Sequence, residues 1–567
     1  MQSFVAKLKG LTGVGSSDGP IKITFSIPTP GVAEALPDLG RLRLGKKDAD
    51  QNGPLEYLDA CRKEARALSR CNLSSTRRLQ MTEEFAKHLV QIVAKHILTY
   101  SADGGVPDSD RRKDMLDTAA AAIGYLVDAY KVVLKKVYGG SGSIAGSAAK
   151  EFELAGFRIL ELSKVLQRVL GLRYQVLSGP SWLTVNTVIQ VLRVCGHAET
   201  PIAMLETDLV EDQDTKPQTA VQMFLAVQMV GRFDILRWPT EMQQFIFGYC
   251  KSMEYLADVA ADDGEPLARN VALSYCYDTR HARVGRAPNP DLLGPALQIN
   301  WNKLIKKITN DLIIFFSASS REDLNYFQKR LERLSYNECL SLVQLQFDTF
   351  TNANQHAAVD SGRGQACDMR IFIGFKSVYQ LLHNIHLGKF GVGQRLDDML
   401  AKRSAVFADD HVASAESVWF LQFEDAQLIR LKTQESHFTT AMRIGMMAAY
   451  GVGNEGIAKP QFGVVSRLYR PSPQTVIVDI VKHGHYVEPV VVSSDPAAFD
   501  KDERGQGLLL GAIEVSGTAG ETKLLLPPLS TLREKAELAM KRSKTREKIA
   551  LGKLQTVTRD FFLFRLA

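Results

Sequence analysis

Two pairs of histidines stand at spacings that metal ligands use. His483 and His485 are two residues apart in KHGHY, so a β-strand would place both rings on one face. His383 and His386 are three residues apart in a segment of helical character. A zinc site takes at least three side-chain ligands, and neither pair has an evident third ligand nearby. We therefore predict polar or packing histidines at these positions and no metal site.

Two glycine-rich segments invite comparison with phosphate-binding loops. They are GVGNEG, Gly451–Gly456, and GKFGVG, Gly388–Gly393. Neither ends in the GK[ST] of a phosphate-binding loop, and neither lies between a strand and a helix of a βαβ unit. We predict a hairpin loop for the first segment and an irregular linker for the second.

The sequence contains no catalytic motif of the G-x-S-x-G, HExxH or paired-carboxylate type. Cys339 in NECL has no evident histidine partner and is predicted to be a core thiol. Arg467 and Arg470 in SRLYR would lie on opposite faces of a strand, so we do not expect one clamp, and at least one should face solvent. These observations predict a protein that is not an enzyme and has no catalytic residues.

Composition limits the partners and the compartment. The 567 residues predict two to four domains, and the net charge of +6 gives no strong case for a nucleic-acid or membrane partner, although a small anionic ligand fits it. Seven cysteines include no CxxC pair, which indicates reduced thiols. No window approaches the ~20 apolar residues of a membrane span, and no signal peptide is evident. We predict a cytoplasmic protein without membrane insertion.

Residues 51–360 are predicted to form a helical domain, preceded by an extended segment at residues 1–50. Apolar side chains recur there every three or four residues. The predicted helices cover residues 55–68, 75–100, 111–138, 150–172, 182–195, 217–231, 240–259, 300–316 and 321–349. Ile21–Pro28 alternates like a single strand that packs on a later domain, with a loose tail as the alternative, and Asn270–Asp278 could hold another strand.

The remaining residues, 365–567, are predicted to form a β-barrel domain with strands mainly at 417–567. Met369–Ile385 changes from strand-like to helix-like, and short runs rich in β-branched residues then alternate with Gly, Asn and Pro. After Val481 the predicted strands are YVEPVVVS, GLLLGAIEV, TKLLLPP, KAELAMKR, REKIALGKLQTVT and FFLFRL. By charge alone, residues 533–548 could form a solvated helix, but we favour two strands with a turn near Ser543.

Several segments in this order resemble one bacterial family. They are MFLAVQMVGRFDILRWPTEM, MRIFIGFKSVYQLL, WFLQFEDAQLIRL with RIGMMAAYGV, QFGVVSRLYR and REKIALGKLQTVTRDFFLFRL. The series resembles the proteobacterial FimW-type family, whose members join a helical N-terminal body to a PilZ-like β-barrel, and it covers about Met223 to Ala567. The resemblance implies an α+β fold: a large all-helical N-terminal body followed by a C-terminal antiparallel PilZ-like β-barrel.

Members of this family with an intact site bind cyclic di-GMP. The resemblance therefore implies a non-enzymatic signalling effector or adaptor, linked to cyclic di-GMP control of type IV pili, motility or surface behaviour. It implies protein partners in the pilus or motility machinery, no nucleic-acid partner, and no cofactor, with cyclic di-GMP as the candidate ligand.

The family site combines arginines before the first barrel strand with a [D/N]-x-S-x-x-G turn. Guanidinium groups can grip phosphates and guanine edges, and the glycine allows close approach. The turn would fall at Phe423–Leu428, where Phe, Asp and Leu replace the Asp or Asn, the Ser and the Gly. The candidate cyclic di-GMP contacts are Arg395, Lys402, Arg403, Asp425 and Arg430. Because this turn departs from the pattern, the alternative is a protein–protein scaffold whose barrel does not bind nucleotide.

Overall fold

The computed structural model divides the chain into two units. One comprises Met1–Ile235 and Thr240–Ala358, and the other comprises Leu236–Pro239 and Val359–Ala567. The structure describes residues 21–29, 37, 54–98, 110–139, 144, 146–205, 216–233, 235–240, 242–243, 246–247, 254–268, 270–317, 365–367, 369–386, 419–440, 442–472, 474–483, 486–494, 510–516, 522–527, 534–542, 545–558 and 560–566. Among these residues, no helix has the length and apolar character needed to cross a membrane.

Between residues 54 and 232, the described part of the first unit is mainly helical, as the sequence predicted. They are α1 (Leu55–Arg70), α2 (Ser75–Val93, continued by a π-helical turn at Ala94–Leu98), α3 (Asp110–Tyr138), α4 (Ser147–Leu172), α5 (Gly179–Val194) and α6 (Ala220–Arg232). The helix predicted at 240–259 lies largely outside the described residues, and its end overlaps a 3-10 turn at Glu254–Leu256 and a strand. The helix predicted at 321–349 and Cys339 lie wholly outside them.

Local sequence signals explain where these helices begin and which face they bury. The side chain of Ser74 caps α2 by accepting a backbone N–H at 3.3 Å, and Thr219 and Gln222 form a capping box at the start of α6. On α2, Phe85 and Leu89 lie one turn apart and are 1% and 0% exposed. Burial of such apolar stripes supplies most of the stability of these helices.

A four-stranded antiparallel sheet follows the helices, so this unit is not all-helical. Its strands are β1 (Asp258–Ala261), β2 (Val271–Tyr275), β3 (Arg283–Val284) and β4 (Ala296–Asn300), in the order β1-β4-β2-β3. The strand predicted within Asn270–Asp278 is confirmed as β2, all five residues of which are buried. A 3-10 turn at Pro290–Leu293 precedes β4, and helix α7 (Asn302–Ser317) follows it.

Polar side chains of α5 hold this sheet against the helices. Asn186 Nδ2 donates to two backbone carbonyls beyond β2 (3.0 and 2.9 Å), Thr187 Oγ1 to a third (2.9 Å), and Gln190 Nε2 to two more (3.3 and 2.9 Å). All three residues are buried. Their spacing places them on one face of the helix, so α5 satisfies backbone carbonyls that would otherwise be buried without partners.

The segment Ile21–Pro28 forms neither of the predicted structures. It has no regular secondary structure, yet Phe25 is only 2% exposed. The hydroxyl of Tyr138 donates to the carbonyl of Ile21 at 2.9 Å. The segment is therefore packed coil of the first unit, because a lone alternating run gains no ladder hydrogen bonds without a neighbouring strand.

The second unit begins with a seven-stranded antiparallel sheet in the order β5-β7-β8-β11-β10-β9-β6. Its strands are β5 (Gln365–Cys367), β6 (Met369–Ile373), β7 (Trp419–Glu424), β8 (Leu428–Gln434), β9 (Met447–Val452), β10 (Gln461–Ser472) and β11 (Thr475–Lys482). Helix α8 (Phe375–His386) follows β6, which confirms the predicted change from strand to helix. A short helix, α9 (His437–Thr440), follows β8.

The predicted hairpin loop at Gly451–Gly456 is wrong. The segment Gly453–Ala458 forms a short helix, α10, between β9 and β10. A Cβ atom at Gly451 would lie 2.3 Å from the carbonyl carbon of Gly456. The two glycines therefore allow backbone-to-backbone packing at the end of β9, which no other residue pair would allow.

The last six strands close into a barrel in the order β12-β13-β14-β17-β16-β15. They are β12 (Tyr486–Ser493), β13 (Leu510–Ser516), β14 (Thr522–Leu526), β15 (Glu537–Arg542), β16 (Thr545–Val557) and β17 (Phe562–Leu566), so all six strands predicted after Val481 are confirmed. The two-strand interpretation of residues 533–548 is confirmed as well. Closure comes from the pairing of β12 with β15, Val491 opposite Lys541, which sequence periodicity does not reveal.

Helix α8 and one carboxylate join the sheet and the barrel. Val378 and Leu381 of α8 lie in one buried cluster with residues of both β-structures. Asp560, in the turn before β17, accepts the backbone N–H of Phe375 (2.9 and 2.8 Å) and of Met447 (2.8 Å). Its charge lies at the N-terminus of α8, where free N–H groups and the helix dipole favour an anion.

Candidate ligand-binding site

The residues predicted to contact cyclic di-GMP are only partly described by the structure. Arg395, Lys402 and Arg403 lie outside the described residues. Asp425 lies in the turn between β7 and β8, and Arg430 lies on β8. The two strands β7 and β8 belong to the seven-stranded sheet and not to the closed barrel. The assignment of these five residues to a ligand site remains a prediction.

The β7–β8 turn is stabilised by its own carboxylate. Asp425 Oδ1 accepts the backbone N–H groups of Gln427 and Leu428, both at 2.7 Å. These two N–H groups hold the pKa of Asp425 below its ordinary value. Lys482 Nζ donates to the carbonyl of Asp425 at 2.8 Å, and Phe423 is 47% exposed. The turn therefore places an exposed aromatic ring and an ionised carboxylate at the same end of the sheet.

Arg430 is held by a buried carboxylate on the neighbouring strand. Its Nε and one terminal nitrogen donate to the two oxygens of Asp479 at 2.6 and 2.7 Å. The Asp479 side chain is 4% exposed, and the Arg430 side chain is 22% exposed. Asp479 also stands opposite Arg467 in the β10–β11 register. A ligand that used the guanidinium fork of Arg430 would have to compete with this bidentate pair.

The prediction from strand alternation that Arg467 or Arg470 faces solvent is wrong. Neither Arg467 nor Arg470 lies on a solvated exterior, since they are 8% and 3% exposed. Arg470 Nε donates to Glu435 Oε2 at 2.8 Å, and its NH2 donates to the carbonyl of Thr439 at 2.7 Å. Register irregularities in β10, between Val465 and Arg467 and again after Tyr469, break the simple two-residue period.

The histidine pairs give no sign of a metal centre. The ring of His383 stacks on Tyr379 along α8, with centroids 6.0 Å apart. Within the described residues, no group of three or more His, Cys, Asp or Glu side chains is arranged to hold a metal ion. His485 lies outside these residues.

A segment at the end of β13 in the closed barrel partly resembles the turn of the family site. Strand β13 ends in Glu514-Val515-Ser516, with Glu514 in place of the Asp or Asn of the family turn. A glycine, Gly520, stands four residues after the serine, where the family turn has it three residues after the serine, so the segment matches the turn only in part. Glu514 is 6% exposed and accepts from Arg542 at 2.5 and 2.6 Å. This hydrogen bonding raises the pKa of Arg542. The sequence analysis missed this hairpin because it sought the turn at the first strands after residue 417.

The comparison with protein families finds one domain in the N-terminal half. Residues 47–262 match the family model described as the N-terminal domain of the cyclic-di-GMP receptor FimW, and this range contains α1 to α6. No curated protein and no solved structure gives a significant match. Of the segments that carried the predicted resemblance, only Met223–Met242 lies in the matched range. Residues 47–262 are therefore similar to the N-terminal domain of FimW, and the predicted resemblance to the FimW-type family is confirmed by this match.

Proposed function

We propose that the chain is a cytoplasmic, non-enzymatic signalling effector that binds cyclic di-GMP and acts on type IV pili, motility or related surface behaviour through protein partners. The match of residues 47–262 to a domain of a cyclic di-GMP receptor carries this proposal. The closed barrel of residues 486–566 agrees with the predicted PilZ-like domain, although a fold alone does not give a function.

The proposed ligand contacts divide into two groups. Arg395, Lys402 and Arg403 would supply cations for the phosphates and guanine edges, since a guanidinium fork pairs with guanine O6 and N7. Asp425 would contribute from the β7–β8 turn and Arg430 from β8. Both already make the structural contacts described above, so their substitution would change folding as well as binding.

A turn at the β13–β14 hairpin of the closed barrel is the second proposed location. Ser516 is partly exposed and ends β13, so its hydroxyl is available to a ligand without loss of core packing. In this arrangement the ion pair of Glu514 and Arg542 would fix the strand end that carries the serine.

A scaffold that binds protein partners and no nucleotide is the second candidate function. The specific observation in its favour is that charges near both turns are already paired inside the protein. Arg430 is paired with Asp479, and Arg542 with Glu514. Paired cations gain less from a phosphate ligand, because the existing partner must first be displaced.

Variants separate these possibilities. Equilibrium binding of cyclic di-GMP to the full chain is measured for Arg403→Ala, Ser516→Ala and the control Arg77→Ala, an exposed residue of α2. Loss of about tenfold or more in affinity on Arg403→Ala supports the predicted site, and the same loss on Ser516→Ala supports the barrel hairpin. Unchanged affinity in both variants would reject both locations, and absence of binding in the wild type would favour the scaffold.

A further inference from the structure

A shallow cavity of about 370 Å³, widely open to solvent, lies in the first unit beside β3 and the 3-10 turn at Pro290–Leu293. It is lined by Arg280, Arg283, Ala287, Pro288, Asn289, Leu292 and Leu293. These residues lie beyond the matched family domain, which ends at residue 262. They also belong to a different unit from Asp425 and Arg430.

Two arginines that line this cavity have hydrogen-bond donors without a partner among the described residues. One terminal nitrogen of Arg283 is paired with Asp278, a carboxylate that is 4% exposed. The Nε atom of Arg283 is buried and has no hydrogen-bond partner among the described residues. The exposed side chain of Arg280 forms no hydrogen bond or ion pair with any residue that the structure describes. Guanidinium donors in this state favour an anion with several acceptor oxygens, as in a phosphate group.

The rest of the cavity lining is mostly apolar. Leu292 is 77% exposed, an unusual position for a large aliphatic side chain, and Pro288 stands on the same rim. The floor includes Ala287, which is buried beside Tyr275. Asn289 begins the 3-10 turn without capping it, so its amide is not used by the turn. Apolar walls with a few polar groups are typical of pockets for small organic ligands.

Hydrogen bonds from the surrounding structure fix the backbone of the cavity. Asn186 donates to the carbonyl of Arg280 at 2.9 Å, and Gln228 Oε1 accepts the N–H of Ala282 at 2.7 Å. The hydroxyl of Tyr275 accepts the N–H of Ala287 at 3.0 Å. Because these contacts hold the loop before any ligand arrives, binding would cost little ordering of the backbone.

We propose that this cavity binds a nucleoside monophosphate, with the phosphate at Arg280 and Arg283 and the base on the surface of Pro288 and Leu292. A volume of about 370 Å³ lies at the small end of the range for ligand pockets, ~300–1,000 Å³, which suits one nucleotide better than a larger ligand. Arginine also stacks on planar bases, so either guanidinium can serve phosphate or base.

Calorimetric titration of the full chain with GMP, with AMP and with inorganic phosphate tests the proposal. We expect at least one nucleotide to bind about tenfold or more tightly than phosphate, and Arg280→Ala and Leu292→Ser each to weaken that binding about tenfold. Both side chains are exposed, so neither change should unfold the protein, and circular dichroism checks this. The control Arg77→Ala should bind like the wild type.

Three results would overturn the proposal: no nucleotide binding, phosphate binding as tight as nucleotide binding, or nucleotide binding that Arg280→Ala leaves unchanged. Titration of Arg280→Ala with cyclic di-GMP keeps this test separate from the proposed function. Binding of cyclic di-GMP that survives Arg280→Ala while GMP or AMP binding is lost would show two independent sites.

Discussion

Asp560 offers the sharpest test of how the second unit is held together. Its carboxylate accepts two backbone N–H groups, those of Phe375 at the start of α8 and Met447 at the start of β9. These two residues are 7% and 2% exposed, so water cannot readily replace the lost acceptor. Hydrogen bonds to a charged group contribute ~1.5–3 kcal/mol each, so Asp560→Ala should lower the free energy of unfolding by about 3–6 kcal/mol.

Scanning calorimetry of the full chain measures this loss. For a unit of roughly 210 residues, each kcal/mol corresponds to ~2–4 °C, so the transition of the second unit should fall by about 6–24 °C in Asp560→Ala. Asp560→Asn keeps one acceptor oxygen and should lose about half as much. A matched control is Asp425→Ala, which removes two similar backbone contacts from an exposed turn and should shift the transition far less. A transition of Asp560→Ala within 2 °C of the wild type would refute the role of this carboxylate.

Three further predictions concern buried charge, packing and pH. Arg470→Met should lower the free energy of unfolding by about 3–5 kcal/mol, because it leaves Glu435 buried and unpaired. The double variant Arg470→Met with Glu435→Leu should recover most of this loss, as measured by urea unfolding. Gly231→Ala should lower the free energy of unfolding by about 1–3 kcal/mol, because its Cβ would lie 2.4 Å from a tryptophan ring. Gly124 lies in a helix with open space around it, so Gly124→Ala should raise the free energy of unfolding by about 0.5–1 kcal/mol in the same assay. Burial raises the pKa of Asp262, but hydrogen bonds to its carboxylate outweigh burial and leave the pKa below 3.8. The ionised carboxylate should therefore stabilise the folded protein above that pH, and this stabilisation should disappear as the pH falls through the folded-state pKa. Asp262→Asn removes the same stabilisation. Equal effects of Asp262→Asn at pH 7 and pH 2 would contradict this assignment.

Local signals in the sequence were sufficient for the helices up to residue 232 and for the strands of the closed barrel, but they did not reveal β1, β3, β4 or α10. The apolar period around Phe85 and the capping residue Ser74 specify α2 without reference to the rest of the chain. Alternation and β-branched residues did the same for the six barrel strands. Barrel closure depends on the pairing of Val491 with Lys541, fifty residues apart, and no local pattern carries this information.

The partners of side chains were much harder to predict than the helices and strands. Strand alternation predicted that at least one of Arg467 and Arg470 faces solvent. Irregularities in β10 break this alternation, and Arg470 instead pairs with a buried partner, Glu435, which directly follows β8. Asp560 reaches Phe375 across 185 residues of sequence. The candidate ligand site shows the same limit: Arg430 was predicted as a ligand contact, and its bidentate partner Asp479, 49 residues away, was not predicted.

Calorimetric titration of the purified wild-type chain with cyclic di-GMP, with GTP as the control ligand, tests the central claim most directly. The proposal predicts saturable binding of cyclic di-GMP in the micromolar range or tighter, about −8 kcal/mol or more, with no comparable binding of GTP. No heat and no rise in the unfolding temperature at saturating cyclic di-GMP would contradict the proposal and leave the chain as a scaffold that binds protein partners.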